Sequence, residues 1–121
     1  MKYFFDSYAI IEIIKGNENY LRFKDLQVVT TSLNAAEVYY YLLREFNEKT
    51  ADYWIKRFNF DLINLIRLDD AINATKLKFW NKKEKLSYIG CIGYILSKIL
   101  QIKFLTGDNK FKNKENVEFV K

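Results

Sequence analysis

Three acidic residues that are far apart in the chain stand at or just beyond the ends of strand-like apolar segments. Asp6 follows the segment 3–5, Asp108 closes the segment 103–107, and Glu37 comes shortly after the segment 28–31. In an open α/β sheet the carboxyl ends of parallel strands line one crevice, and ligands bind there. We therefore expect the three carboxylates to converge, and a cluster of carboxylates is a site for a hard cation.

Each of these acids also has a purely structural explanation. Asp6 would be the N-cap of a helix that begins at Ser7, and Glu37 would complete a capping box with Asn34. Asp108 would be a turn residue in the sequence Thr-Gly-Asp-Asn. All three explanations nevertheless place the acid on the same edge of the sheet. Neighbouring carboxylates raise one another's pKa, and a divalent cation relieves that repulsion.

The absence of histidine restricts the possible chemistry. It excludes Ser-His and Cys-His nucleophiles, histidine general bases and zinc sites that use imidazole. Acid–base work must then fall to carboxylates, lysine, tyrosine or metal-bound water. The single cysteine, Cys91, cannot form an internal disulfide, and its apolar neighbours predict a buried thiol.

The 121 residues are half apolar, which is enough for one domain over 1–121 with a core of its own. No apolar run approaches the roughly 20 residues of a membrane span. Because the first residues also lack the regions of a signal peptide, we expect a cytoplasmic protein without a membrane partner. The net charge of +5 is compatible with a polyanionic partner without requiring one.

Strand-like and helix-like segments alternate along the chain. We predict strands at 2–5, 27–31, 62–66, 103–105 and 117–120, and helices at 7–15, 17–24, 34–46, 50–60, 71–80 and 86–100. This alternation implies βαβ crossovers and a mainly parallel sheet, and strands that are apolar on both faces require helices on both sides. The predicted fold class is α/β, a three-layer sandwich on a five-stranded, mainly parallel sheet.

Two other clusters have both a structural and a functional interpretation. The lysines at 76, 78, 82, 83 and 85 either form a solvated helix end and loop or contact phosphates beside the crevice, with Lys82, Lys83 and Lys85 as candidate RNA contacts. The tyrosines at 39–41 fit core packing or a protein interface. With only four scattered glycines, a glycine-rich phosphate loop is excluded.

The order and spacing of these motifs resemble the PIN domain, and most closely the short VapC-type toxins of toxin–antitoxin pairs. The motifs that carry the resemblance are Asp6-Ser7 after the first strand, Ser32-Leu-Asn-Ala-Ala-Glu37, and Thr106-Gly-Asp108 followed by Phe111. The resemblance covers essentially the whole chain. It implies a PIN-like α/β/α sandwich that cleaves RNA with Mg²⁺ or Mn²⁺, and that pairs with a second copy of itself and with an antitoxin lying over the acidic crevice.

The resemblance also implies a role for each site residue. Asp6 and Asp108 would be metal ligands, and Glu37 would hold metal-bound water or a second ion. Ser7 and Thr106 would be supporting hydroxyls. In this family the metal activates water for in-line attack on a phosphodiester and neutralises the developing charge.

The chain departs from the family pattern at Gly90, where the resemblance places an aspartate early in the penultimate helix. Either Gly90 and Gly93 form a small face that allows close approach of a neighbouring element, or an acid has been lost; Glu84 is too early to replace it. We predict severely reduced catalysis. A catalytically inactive PIN-fold module that binds protein or RNA therefore stays a rival interpretation, and cleavage of DNA stays open. A receiver-like signalling domain is disfavoured because its adjacent acidic pair is missing.

Overall fold

The computed structural model describes residues 1–121, and its centre is a five-stranded sheet. The strands are β1 (Tyr3–Phe5), β2 (Val28–Thr31), β3 (Phe60–Ile63), β4 (Lys103–Thr106) and β5 (Val117–Phe119). Their spatial order is β3-β2-β1-β4-β5, and every neighbouring pair is parallel. The prediction of a mainly parallel sheet is confirmed, and the sheet is in fact parallel throughout.

Five α-helices connect the strands. They are α1 (Ser7–Ile14), α2 (Ser32–Glu45), α3 (Glu48–Arg57), α4 (Leu68–Trp80) and α5 (Tyr88–Ile99), and three short 3-10 helices cover Glu18–Phe23, Lys82–Glu84 and Asn109–Phe111. None of the helices has both the length and the apolar character needed to cross a membrane.

Helices cover the sheet on both faces, as the apolar strands require. Successive residues of a strand point to opposite faces, and in β1 Phe5 belongs to one apolar cluster and Phe4 to the other. The first cluster contains Phe5 with residues of α1, α2 and α3, and the second contains Phe4 with residues of α4 and α5. Cys91 lies in the second cluster as a buried free thiol, which confirms its predicted place.

Close approach of α5 to the sheet explains one of its two glycines. A Cβ atom added at Gly93 would lie 2.7 Å from Cε1 of Phe4 and 3.2 Å from Cε1 of Phe104. Real Cβ atoms do not come so near, so any larger residue would push α5 away from β1 and β4. The interpretation of Gly93 as part of a small packing face is confirmed.

The predicted start of α2 is wrong. The helix begins at Ser32, and its N-cap is Thr31, whose hydroxyl accepts a hydrogen bond from the backbone N–H of Asn34. Asn34 therefore lies inside the first turn and forms no capping box with Glu37. The β-branched Thr31 fits both the last position of β2 and the cap, so sequence alone did not mark where the strand ends.

The boundary between α3 and β3 also differs from the prediction. The helix begins at Glu48, capped by Asn47, and ends at Arg57, while β3 covers Phe60–Ile63 instead of 62–66. The strand starts where β2 supplies its partner, with Phe60 opposite Val28. The 3.6-residue spacing of Ala51, Trp54, Ile55 and Phe58 had suggested a longer helix, but Phe58 has an extended backbone and its ring stacks on that of Phe60.

Candidate active site

The strand order places a crevice at the carboxyl ends of β1 and β4. The chain passes from β1 to β2 on one side and reaches β4 on the other side only later, so these two strands form the switch point where ligands bind in open α/β sheets. Asp6 directly follows β1, and Asp108 comes two residues after β4. The two acids thus stand at one edge although 102 positions separate them.

Asp6 is held rigidly at this edge. Its side chain is 7% exposed; Oδ1 accepts a hydrogen bond from the backbone N–H of Ser7 at 2.9 Å, and Oδ2 accepts one from the Thr106 hydroxyl at 2.6 Å. The first bond caps α1, so the capping explanation is confirmed. The cap uses only one lone pair of Oδ1, so capping and a role in the site are compatible.

The electrostatics of Asp6 show that it shares its surroundings with the other two acids. Its pKa is raised from 3.8 to about 7, chiefly by burial; the charges of Glu37 and Asp108 add to the shift, while the bonds from Thr106 and Ser7 oppose it. A carboxyl group in this state gains from any nearby positive charge.

Glu37 is fixed by a chain of side-chain hydrogen bonds. Its Oε1 accepts a bond from the Ser7 hydroxyl at 2.6 Å, and Ser7 Oγ accepts one from Nδ2 of Asn34 at 3.0 Å. Asn34 is fully buried, and its Oδ1 accepts a bond from the Thr31 hydroxyl at 2.6 Å. Sequence reasoning missed Asn34 as a supporting residue. Its position three residues before Glu37, on the same helix face, was the available signal.

Asp108 is placed by the turn that follows β4. Its backbone N–H donates to the Thr106 hydroxyl at 3.0 Å, and its Oδ1 accepts a bond from the backbone N–H of Lys110 at 3.0 Å. Asp108 is therefore also a cap, of the 3-10 helix 109–111. Thr106 contacts the carboxylate of Asp6 and the backbone of Asp108, and so couples the two acids geometrically.

The donor set fits a hard divalent cation that keeps part of its water shell. No three His, Cys, Asp or Glu side chains form a ready-made metal cage. Mg²⁺ in proteins is commonly held by one or two carboxylates together with water and substrate phosphate. The charges of Glu37 and Asp108 contribute to the raised pKa of the buried Asp6, so carboxylate oxygens, the donors that such an ion takes, lie at this edge of the sheet.

Gly90, where the resemblance places the missing acid, lies in the first turn of α5 and is buried. The Ser87 hydroxyl caps the helix by accepting a bond from the Gly90 N–H at 2.9 Å. A Cβ added at Gly90 would lie 2.8 Å from Ser87 Oγ and 3.2 Å from the ring of Phe111. Glu84 does not replace the acid, since it pairs with Lys114 at 3.2 Å.

The candidate RNA-contacting lysines separate into two groups. Lys82 and Lys85 line a cavity together with Lys78, whereas Lys83 lies outside that lining. The same part of the chain is a 3-10 turn instead of the predicted open loop.

No family model matches the chain, and no curated protein matches it. Among the solved structures that match, two are similar to this chain over nearly their whole lengths. A chain of a toxin–antitoxin complex from Klebsiella pneumoniae is 18% identical, with a TM-score of 0.72, over 97% of this chain and 96% of that one. VapC20 of Mycobacterium tuberculosis, described as a toxin that cleaves the sarcin–ricin loop, is 14% identical, with a TM-score of 0.76, over 99% and 100%. At such identities the likeness establishes architecture: this chain has the three-layer α/β fold of the VapC-type toxins.

Proposed function

We propose that the protein is a metal-dependent endoribonuclease and the toxin of a type II toxin–antitoxin pair. The observation that carries this proposal is the buried Asp6, brought by the fold beside Glu37 and Asp108 at the switch point of the sheet. The neighbours support RNA as the substrate and an antitoxin as a partner, because VapC20 is described as an RNA-loop-cleaving toxin and the other structure is a toxin–antitoxin complex.

In this proposal the three acids have different roles. Asp6 and Asp108 hold Mg²⁺ or Mn²⁺, which when bound supplies a nucleophilic water at neutral pH and neutralises charge on the phosphate. Glu37 would offer its carboxylate as a hydrogen-bond acceptor in the crevice, and the Ser7 hydroxyl keeps that carboxylate in place. Thr106 fixes the orientation of the Asp6 carboxylate by donating to Oδ2. The preorganised carboxylates thus need little rearrangement when the phosphodiester arrives.

The experiment combines calorimetry of Mn²⁺ binding with cleavage of a sarcin–ricin-loop RNA hairpin under single-turnover conditions. Asp108→Asn should weaken Mn²⁺ binding and lower the cleavage rate by about 100-fold or more. Asp61→Asn removes an exposed carboxylate from β3 and is the matched control, which should behave like the natural chain. Equal Mn²⁺ affinity and cleavage in all three proteins would contradict the proposal.

The proposed antitoxin contact is the exposed part of α2 beside the crevice. Tyr40 is 65% exposed there, and Ser7, Ile11, Glu37, Tyr40, Tyr41 and Arg44 line a cavity of about 310 Å³. A segment seated on it would cover Glu37 and block access to the ion. We also propose a homodimer, which sedimentation of the purified protein tests.

A non-catalytic binding module is the second candidate function, and the packing at Gly90 favours it. Ser87 and Phe111 fill the space where the acid of active relatives would stand. Absence of Mn²⁺ binding both in the natural chain and in Gly90→Asp would select this candidate over the nuclease.

A further inference from the structure

A cavity that none of the three acids lines opens where α4, the 3-10 turn 82–84 and α5 meet. It has a volume of about 360 Å³ and is lined by Thr75, Lys78, Phe79, Lys82, Lys85 and Tyr88. Three of its six lining residues are lysines, so the cavity is strongly electropositive and suited to an anion of the size of a phosphate group.

The charge of this cavity is not neutralised by the protein. Lys78, Lys82 and Lys85 take part in none of the five salt bridges of the structure. The neighbouring acid, Glu84, is engaged by Lys114. The Lys78 amine donates to the backbone oxygen of Leu86, which fixes its position at the cavity wall without cancelling its charge.

Two exposed aromatic rings accompany the lysines. Phe79 is 61% exposed and Tyr88 is 53% exposed, so both rings are accessible to a ligand in the cavity. The Lys82 amine lies 5.2 Å from the centroid of the Phe79 ring, and the Lys78 amine lies 5.2 Å from that of Tyr88. Binding sites for single-stranded nucleic acid combine amines, which neutralise the phosphate backbone, with aromatic rings, which stack on the bases.

One residue connects this cavity to the acidic crevice. The backbone N–H of Lys110 donates to Oδ1 of Asp108 at 3.0 Å, while its amine donates to the backbone oxygen of Lys85 at 3.2 Å. The span between the acid and the cavity is therefore about one lysine side chain. Lys85 itself has a left-handed backbone with φ +55°, a conformation that is unfavourable for a residue with a Cβ atom.

We propose that this cavity is a substrate subsite that binds a phosphate and an adjacent unstacked base of single-stranded RNA. The inference rests on the proposed nuclease function for its choice of RNA and extends it to the conformation of the substrate. The subsite holds the strand next to the scissile phosphate and selects segments whose bases are free to leave the helical stack.

The test measures binding of a fluorescent oligouridylate of about 12 nucleotides by anisotropy in EDTA, where no cleavage takes place. The double variant Lys82→Ala/Lys85→Ala should bind about 10-fold more weakly. The slope of log K against log salt concentration should also become less negative by about 1. The charge-matched control Lys49→Ala/Lys56→Ala removes two exposed, unpaired lysines from α3 and should bind less than about 2-fold more weakly. Equal losses in the two double variants would overturn the subsite.

Two single variants separate the subsite from general effects on folding or charge. Lys85→Gly relieves the left-handed backbone, so its melting temperature should rise by about 3 °C while its RNA affinity falls. If Lys85 had only a structural role, the Lys85→Gly variant would become more stable without losing affinity for RNA. Phe79→Leu should weaken binding of the single strand by about 5-fold and leave binding of an RNA duplex unchanged. Equal effects on both RNAs would overturn the stacking role.

The readout also distinguishes failure of this inference from failure of the proposed function. If Lys82→Ala/Lys85→Ala loses RNA affinity but no form of the protein cleaves RNA in Mn²⁺, the RNA-binding subsite stands and the nuclease function is contradicted. Cleavage with an unchanged KM in the same variant would establish the nuclease and overturn the subsite.

Discussion

The natural chain is expected to be less stable than its Asp6→Asn variant in metal-free buffer at about pH 8, by on the order of 3 kcal/mol in free energy of unfolding. Burial and the charges of Glu37 and Asp108 together raise the pKa of Asp6 from 3.8 to about 7, so between these values the folded chain holds a proton that the unfolded chain has released. The stability of the natural chain therefore falls as pH rises through this window and stays low above it. Asparagine is neutral at every pH, so the stability of Asp6→Asn does not fall in this way.

Urea denaturation at about pH 4 and about pH 8 measures this effect. The two proteins should be of similar stability at the lower pH and diverge at the higher one, and Asp61→Asn should follow the natural chain. Mn²⁺ at about 100 times its dissociation constant should stabilise the natural chain by about 2.7 kcal/mol. Mn²⁺ should leave the stability of Asp6→Asn unchanged, and this variant should no longer cleave RNA. A natural chain more stable than the variant at about pH 8 would contradict the buried-charge account.

The Gly90→Asp variant is expected to cleave RNA about 100-fold or more faster than the natural chain and to bind Mn²⁺ more tightly, because the family resemblance places a metal-binding acid at this position. It should also lose about 2 kcal/mol of stability. The new Cβ would lie 2.8 Å from Ser87 Oγ and 3.2 Å from the Phe111 ring, so the cap must rotate and the ring must shift. Gain of activity and loss of stability should therefore appear in the same protein.

Gly90→Asn is the matched control for that experiment. Its side chain has nearly the same volume as aspartate and imposes the same packing change, but it adds no negative charge. We expect equal destabilisation of the two variants and faster cleavage only with aspartate. If both variants cleave at the rate of the natural chain, Gly90 does not mark a lost ligand, and the packing of Ser87 and Phe111 is its full explanation.

The fold was largely predictable because its signals are local. Apolar strands that alternate with amphipathic helices leave few arrangements other than a parallel sheet covered on both faces. The boundaries failed where one residue suits two states, as Thr31 suits both a strand end and a helix cap. At β3 the prediction failed because the extent of the strand depends on its pairing with β2, which no local pattern specifies.

The candidate site was only partly predictable. Strand ends indicated the edge to which Asp6 and Asp108 belong, since that inference needs only the direction of the chain. The supporting contacts join distant positions, such as Ser7 with Asn34 and Lys110 with Lys85, and no spacing in the sequence marks them. The side chains that pack around Gly90 could not be predicted from the sequence either, because Phe111 reaches this position from another element.

The position of β1 at the centre of the sheet has a consequence for synthesis. One side of β1 pairs with β2, which soon follows, whereas the other pairs with β4, where Phe104 lies opposite Phe4. A chain that emerges N-terminus first can form the β1–β2 half early, but the other half must wait for residues about 100 positions later. Asp6 acquires its bond from Thr106 only then. A ribosome-bound nascent chain therefore lacks the bond that fixes Asp6 until Thr106 has left the exit tunnel, and the proposed site cannot be complete before then.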